Sequence, residues 1–184
     1  MILPMYILGQ PVLRKATEEI PADYPDLQEL IQNMIETMQR AEGVGLAAPQ
    51  VGLSIRMFVV DLDVLSEDHP EYKDFIHAYI NPQIVEESEE TEVMDEGCLS
   101  VPGIHESVRR PKSVHVTYLD EHLQPHDEWI EGFAARVFQH EYDHLEGKLF
   151  IDHISGLRKQ LIKKRLLAMT KGQVNCAYKV KANH

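Results

Sequence analysis

His140-Glu141-Tyr142-Asp143-His144 is the run most able to do chemistry in this 184-residue chain. On a helix, positions 140 and 144 lie one turn apart on one face. Two imidazoles so placed can chelate one metal ion, and Glu141 beside them can take a proton from water held there. Val137 shares that face, so the helix would be buried around its ligands. Two histidines do not complete a catalytic metal site, which wants three protein ligands and an open position. The pattern in which a third histidine follows through Gly-x-x-His fails here, because that place is taken by Phe150. The pattern that uses a downstream glutamate fails as well, because no acidic residue follows Asp152.

The candidate for the missing ligand lies upstream, in Glu96-Gly97-Cys98-Leu99-Ser100. A lone cysteine is more often a small buried hydrophobe. Here a following strand and turn could return residue 98 to the helix, giving a thiolate and two imidazoles with one open position. That set suits zinc or ferrous iron. Cys176 sits among the last residues, which are expected to fray, and is the poorer candidate. The stretch Gly43-Val44-Gly45-Leu46-Ala47-Ala48-Pro49-Gln50-Val51-Gly52 is a loop or irregular strand, whose glycines let backbone approach a substrate closely. It lacks the Gly-Lys-Ser/Thr ending of a phosphate loop.

These residues need a scaffold, and the hydrophobic pattern supplies its outline. Leu27, Leu30, Ile31, Met34, Ile35 and Met38 fall at helical spacing within residues 26–41, with Asp23 as the expected cap. Residues 55–62 read as a buried strand, 63–75 as an acidic surface excursion, and 76–86 as a strand interrupted by Asn81-Pro82. Residues 112–119 alternate, and Trp129 with Ile130 belongs to the return strand. Residues 133–146 form the second helix with Gly147 as its stop. Residues 156–170 form the third behind Ser155, with Leu157, Leu161, Leu166 and Leu167 facing inward. Several strands with separated helices give an α+β class with mostly antiparallel sheets.

The stretches Gly43 to Gln50, Glu96 to Ser100 and Gln139 to His144 resemble the three signature motifs of peptide deformylases, in the same order and at suitable separations. The resemblance covers roughly residues 5–170, including Gln10-Pro11-Val12-Leu13-Arg14. It implies an enzyme that removes the formyl group from the N-terminal methionine of newly made polypeptides. Mostly antiparallel sheets would pack around a central metal-binding helix, with N-terminal and C-terminal helices outside. Cys98, His140 and His144 would hold one divalent metal, ferrous iron in the cell and zinc in purified protein. Glu141 would be the general acid/base, and the Gln50 amide with the Leu99 backbone N–H would bind the oxyanion. The substrate would meet Gly43, Val44, Gly45, Glu96, Gly97, Phe133 and Val137, with Glu42 or Glu96 near the mouth of an apolar methionine pocket. His105 lies where many relatives carry a basic or aromatic residue, and its role stays open. Residues 63–77 look longer than in compact members of the family. Two alternatives stand beside this reading. One is a zinc peptidase using the same helix; the other is a non-catalytic binding module, which predicts loss of a ligand, Glu141 or Gln50.

Length fits one domain, taken as residues 1–170, with 171–184 as a frayed tail. No apolar run reaches the roughly 18 residues of a membrane span, no signal peptide is read at Met1 to Leu8, and two cysteines are too few for a disulfide framework. A cytoplasmic protein without membrane partners is expected. The net charge of −12 argues against a protein built to grip DNA. The charge is uneven: residues 1–152 carry −20, and residues 153–184 carry +8 with no acidic residue. Since an enzyme of newly made chains works beside the ribosome, Arg158, Lys159, Lys163, Lys164 and Arg165 would help dock the third helix there, weakly and with strong salt dependence; the alternative is a plain solvated helix face.

Overall fold

The apolar run Met57–Asp61 forms a strand buried on both faces, and the rest of the architecture is arranged around it. The computed structural model describes residues 1–182. In chain order the elements are β1 (Met5–Tyr6), α1 (Leu27–Arg40), β2 (Gly45–Ala47), β3 (Met57–Asp61), β4 (Ile76–Glu87), β5 (Thr91–Cys98), β6 (Val101–Pro111), β7 (Ser113–Leu119), β8 (Pro125–Glu131), α2 (Gly132–Leu145), α3 (Gly156–Thr170) and β9 (Val180–Lys181). The main sheet runs β2-β3-β4-β7-β8, antiparallel throughout. β5 and β6 form a separate antiparallel ribbon, and β1 pairs with β9 in parallel. The α+β reading with antiparallel sheets around a central helix is the fold observed.

The two faces of β3 explain why helices lie on both sides of the sheet. Met57 and Val59 pack with Ile31, Met34 and Met38 of α1. Phe58 and Val60 pack with Val137 and Phe138 of α2. Phe138 meets the edges of Phe58 and Tyr79, both at 5.0 Å between ring centroids, in the T-shaped arrangement aromatic quadrupoles favour. A third cluster, including Ile104, Val108, Phe150, Ile162 and Met169, joins the ribbon to α3.

Local backbone chemistry sets the breaks. β4 passes through Asn81-Pro82 without ending: Asn81 adopts a left-handed φ of 52°, and its side chain bonds both the N–H and the C=O of Ile20. α2 stops at Gly147, where φ is 75° and a Cβ would fall 2.7 Å from the Arg14 carbonyl oxygen. α1 is entered through Asp26 in left-handed backbone with no side-chain cap, so Asp23 is not the cap.

Two further expectations are corrected. Of the four leucines expected to face inward, Leu166 packs against the third cluster, but Leu157, Leu161 and Leu167 are 71%, 62% and 52% exposed. The body-facing side carries Arg158, Ile162, Arg165 and Met169 beside Leu166. Ile162 and Met169 are buried, while Arg158 clasps Glu106 at 2.6 and 2.8 Å and Arg165 donates to the Gly103 carbonyl at 2.7 Å. Two arginines occupy places that a purely apolar count gives to leucines. The tail expected to fray is also held. Residues 171–182 have backbone partners of their own: Met5 donates to Lys179 at 2.9 Å and Ile7 to Lys181 at 3.0 Å, and Val180 packs against the core. The remaining residues, 183 and 184, lie outside those described. Among the described residues no helix is long and apolar enough to cross a membrane.

Replacing Phe138 by Ala should destabilise the protein by roughly 3–5 kcal/mol in denaturant unfolding, because it empties the ring cluster under α2. Leu161→Ala should stay within about 0.5 kcal/mol of wild type, as expected for an exposed position; a loss on the core scale would mean that the leucine face of α3 is covered.

Candidate metal centre and substrate cleft

α2 is an unusual helix, because it buries His140, Glu141 and His144 within its span. Burying ionisable groups is costly unless each is paired or set to a task. His140 and His144 stand one turn apart, their ring centroids 5.4 Å from one another. The end of β5 brings Cys98 to them, and one ligand atom from each of the three residues lies within 4.8 Å of the others. The Cys98 Sγ to His144 Nε2 distance is 3.4 Å. That is close to the edge of a tetrahedron whose centre lies ~2.3 Å from sulfur and ~2.0–2.1 Å from nitrogen. The donor set therefore fits one metal ion of the zinc or ferrous type.

The second ring nitrogens are held differently. His140 Nδ1 donates to Glu96 Oε1 at 2.8 Å, which turns Nε2 toward the triad. Glu96 is saturated: Arg110 donates to its two oxygens at 2.6 and 2.9 Å, and Arg136 adds a third contact at 2.7 Å. Burial opposes its ionisation, yet the His140 and Arg110 hydrogen bonds hold the carboxyl well below its ordinary pKa. Glu96 borders the cleft, but no oxygen is left for a substrate. The expected substrate contact becomes an orienting group for His140. Arg110 also donates to Asp143 at 2.9 Å, extending the network along α2. Burial, with the neighbouring His140, holds His144 neutral, its pKa pulled down to about 3. A metal ligand needs that neutral form.

Glu141 is 4% exposed, and burial pushes its pKa up to about 7. Its Oε1 lies 3.9 Å from His140 Nε2, and Oε2 has no hydrogen-bond partner among the described residues. An unpaired buried carboxylate oxygen calls for an explanation, and a catalytic role is a common one. The side chain presses against β2, where a Cβ on Gly45 would come within 2.8 Å of it. Gly45 is glycine because the carboxylate takes the space.

Gln50 sits on a short 3₁₀ turn, Ala48–Val51. Its Oε1 accepts from the Ala47 N–H at 2.9 Å, which fixes the amide and aims Nε2 at Ser100 Oγ (3.1 Å) and Cys98 Sγ (3.5 Å). Leu99 lies against Gly43, whose Cβ would meet its Cδ1 at 2.7 Å. Gly97 faces the His105 ring across the ribbon, so that a Cβ there would fall 2.6 Å from Cδ2. His105 covers the backbone next to the thiol.

A cleft of about 430 Å³ opens over these groups. Gly43, Val44, Gly45, Glu96, Gly97, Cys98, Leu99, Phe133, Val137, His140 and Glu141 all line it, as does Glu42. Gln50 and His144 belong to the centre but lie behind the cleft surface. The sequence reading missed Arg110 and Arg136, which look like ordinary basic residues along the chain. It also missed Asn175, Cys176 and Tyr178, which come from the presumed tail to form part of the cleft wall.

The family model described as Polypeptide deformylase matches residues 2–160. The chain belongs to the polypeptide deformylase family. A peptide deformylase of Christiangramia forsetii is 48% identical over 188 aligned residues, which cover 98% of this chain and 96% of the relative. The crystal structure of a peptide deformylase from Legionella pneumophila superposes with a TM-score of 0.81 at 36% identity, covering 94% of this chain and 98% of that one. The peptide deformylase of Thermotoga maritima gives a TM-score of 0.76 at 44% identity, over 84% of this chain and 99% of its own. By family the chain is a hydrolase of the peptide deformylase class.

Glu96→Ala should lower metal affinity about 10–100-fold, measured by competition with a chromophoric chelator, because His140 loses its orienting acceptor. It should also destabilise the fold by roughly 3–5 kcal/mol, since Arg110 and Arg136 would keep buried charge with no carboxylate between them. Unchanged affinity in a folded variant would remove Glu96 from the support of the centre.

Proposed function

We propose that this deformylase removes the formyl group from the N-terminal formyl-methionine of newly made polypeptides in the cytoplasm, releasing formate. The observation that carries the reading is Glu141: a buried carboxyl with one unpaired oxygen, beside three converging metal ligands on the floor of an open cleft. Cys98, His140 and His144 would hold one divalent ion, Fe²⁺ in the cell and Zn²⁺ in purified material. When bound, that ion supplies Lewis acidity toward the formyl oxygen and lowers the pKa of water toward 7.

The chain's own groups do the rest. Glu141 accepts the proton of the attacking water and returns it to the leaving amine nitrogen, its Oε2 being free of any partner among the described residues. The Gln50 N–H on the Cys98 side and the Leu99 N–H would stabilise the developing oxyanion, and loss of one such donor costs on the order of 10²–10³ in rate. Gln50 suits the task because its amide stays neutral and its orientation is already fixed by Ala47. Gly43, Gly45 and Gly97 line the cleft with backbone that the substrate can meet, and Val44, Phe133 and Val137 offer an apolar seat for the methionine side chain.

With Glu141→Ala, metal should be retained while formate release from formyl-Met-Ala falls by at least about 10²; activity within tenfold of wild type would overturn the general-base assignment. The same assay separates deformylation from peptidase chemistry, since an unformylated peptide should stay intact and its cleavage would sink the reading.

The ribosome contact would be made by α3. α3 keeps Lys159, Lys163 and Lys164 exposed, whereas Arg158 and Arg165 are engaged by Glu106 and Gly103. Reversing the three lysines to Glu should abolish co-sedimentation with ribosomes at low salt and leave turnover of a free formyl peptide unchanged. Undiminished co-sedimentation would refute docking through α3.

A further inference from the structure

The C-terminal segment has no part in the mechanism so far, yet it reaches the reacting centre. Tyr178 donates its hydroxyl to the Leu99 carbonyl at 2.6 Å. Burial keeps the phenol well above its ordinary pKa, so it remains a donor. Tyr178 is set in place by its neighbours: Met5 bonds the Lys179 carbonyl, and Val180 and Lys181 pair with β1. The same stretch of chain grips the residue after Leu99, since Ser100 Oγ donates to the Tyr6 carbonyl at 2.6 Å and Leu8 donates to the Ser100 carbonyl at 2.9 Å. Asn175 and Cys176 continue along the cleft wall.

We propose that Tyr178 is a positioning residue of the deformylase reaction, fixing the Leu99 backbone so that its N–H points at the oxyanion. This rests on the deformylase reading. The two peptide groups of Leu99 share one Cα. Holding the carbonyl from the cleft wall restricts ψ, and the Leu99 side chain wedged against Gly43 restricts the remaining freedom. An oxyanion donor contributes only when it is aimed before the charge develops. Loss of the hydroxyl should therefore weaken transition-state binding and leave ground-state binding of the peptide alone.

The test compares wild type, Tyr178→Phe and a chain ending at Gln173, each loaded with the same metal. Initial rates of formate release from formyl-Met-Ala-Ser give kcat and KM separately, alongside metal content and thermal midpoint. Tyr178→Phe keeps the ring, and should lower kcat about three- to tenfold, the scale of one neutral hydrogen bond, with KM and metal content unchanged. The shortened chain should lose at least as much kcat. Wild-type kcat in folded Tyr178→Phe, or a change confined to KM, would overturn the proposal. So would full kcat in the shortened chain, even if the point variant failed to fold. Absence of formate release from wild type is a separate result, which would refute the deformylase reading itself.

Discussion

Glu96 receives donors from Arg110, Arg136 and His140 at distances between 2.6 and 2.9 Å, almost out of reach of water. These contacts tie the β5–β6 ribbon to α2, and the metal ligands come from those same two elements: Cys98 from the ribbon, His140 and His144 from the helix. A displaced ribbon would carry the thiol away from the imidazoles and leave charge unpaired in the interior. The ionic network and the metal centre are thus geometrically one object. The cost of burying Glu96 is offset only when both elements are in register.

Apolar packing makes that register rigid. α2 lies on a sheet whose central strand is buried on both faces, and the Phe58, Tyr79 and Phe138 rings lock the helix against rotation. Small residues appear where functional groups crowd the backbone. Gly45 yields to the Glu141 carboxylate, Gly43 to Leu99 and Gly97 to His105. Their conformations need nothing special; what they supply is absence of volume.

Much of this was legible in the chain. Helical spacing gave α1 and α2 nearly to the residue, and the spacing of His140 and His144 gave the metal chemistry. Cys98 was singled out by its motif, since a single thiol in a strand carries no period. Arg110 and Arg136 were invisible because their importance lies in what meets them across the fold. The same holds for Arg158 and Arg165, whose ion pair and hydrogen bond gave α3 a body-facing stripe that hydrophobicity alone assigns to leucines. A two-residue strand such as β9 is shorter than any sequence pattern, so its pairing with β1 had no local signal.

That pairing has a consequence for how the molecule is made. β1 and β9 lie at opposite ends of the described chain, so their contact closes nearly the longest loop available. During synthesis the sheet, the ribbon and α2 can assemble before residues 178–181 leave the ribosome. The wall that includes Cys176 and Tyr178 must come last. Until that wall is in place the cleft is open on the side of Leu99. The order of the chain thus makes the metal ligands available first and the wall beside Leu99 last.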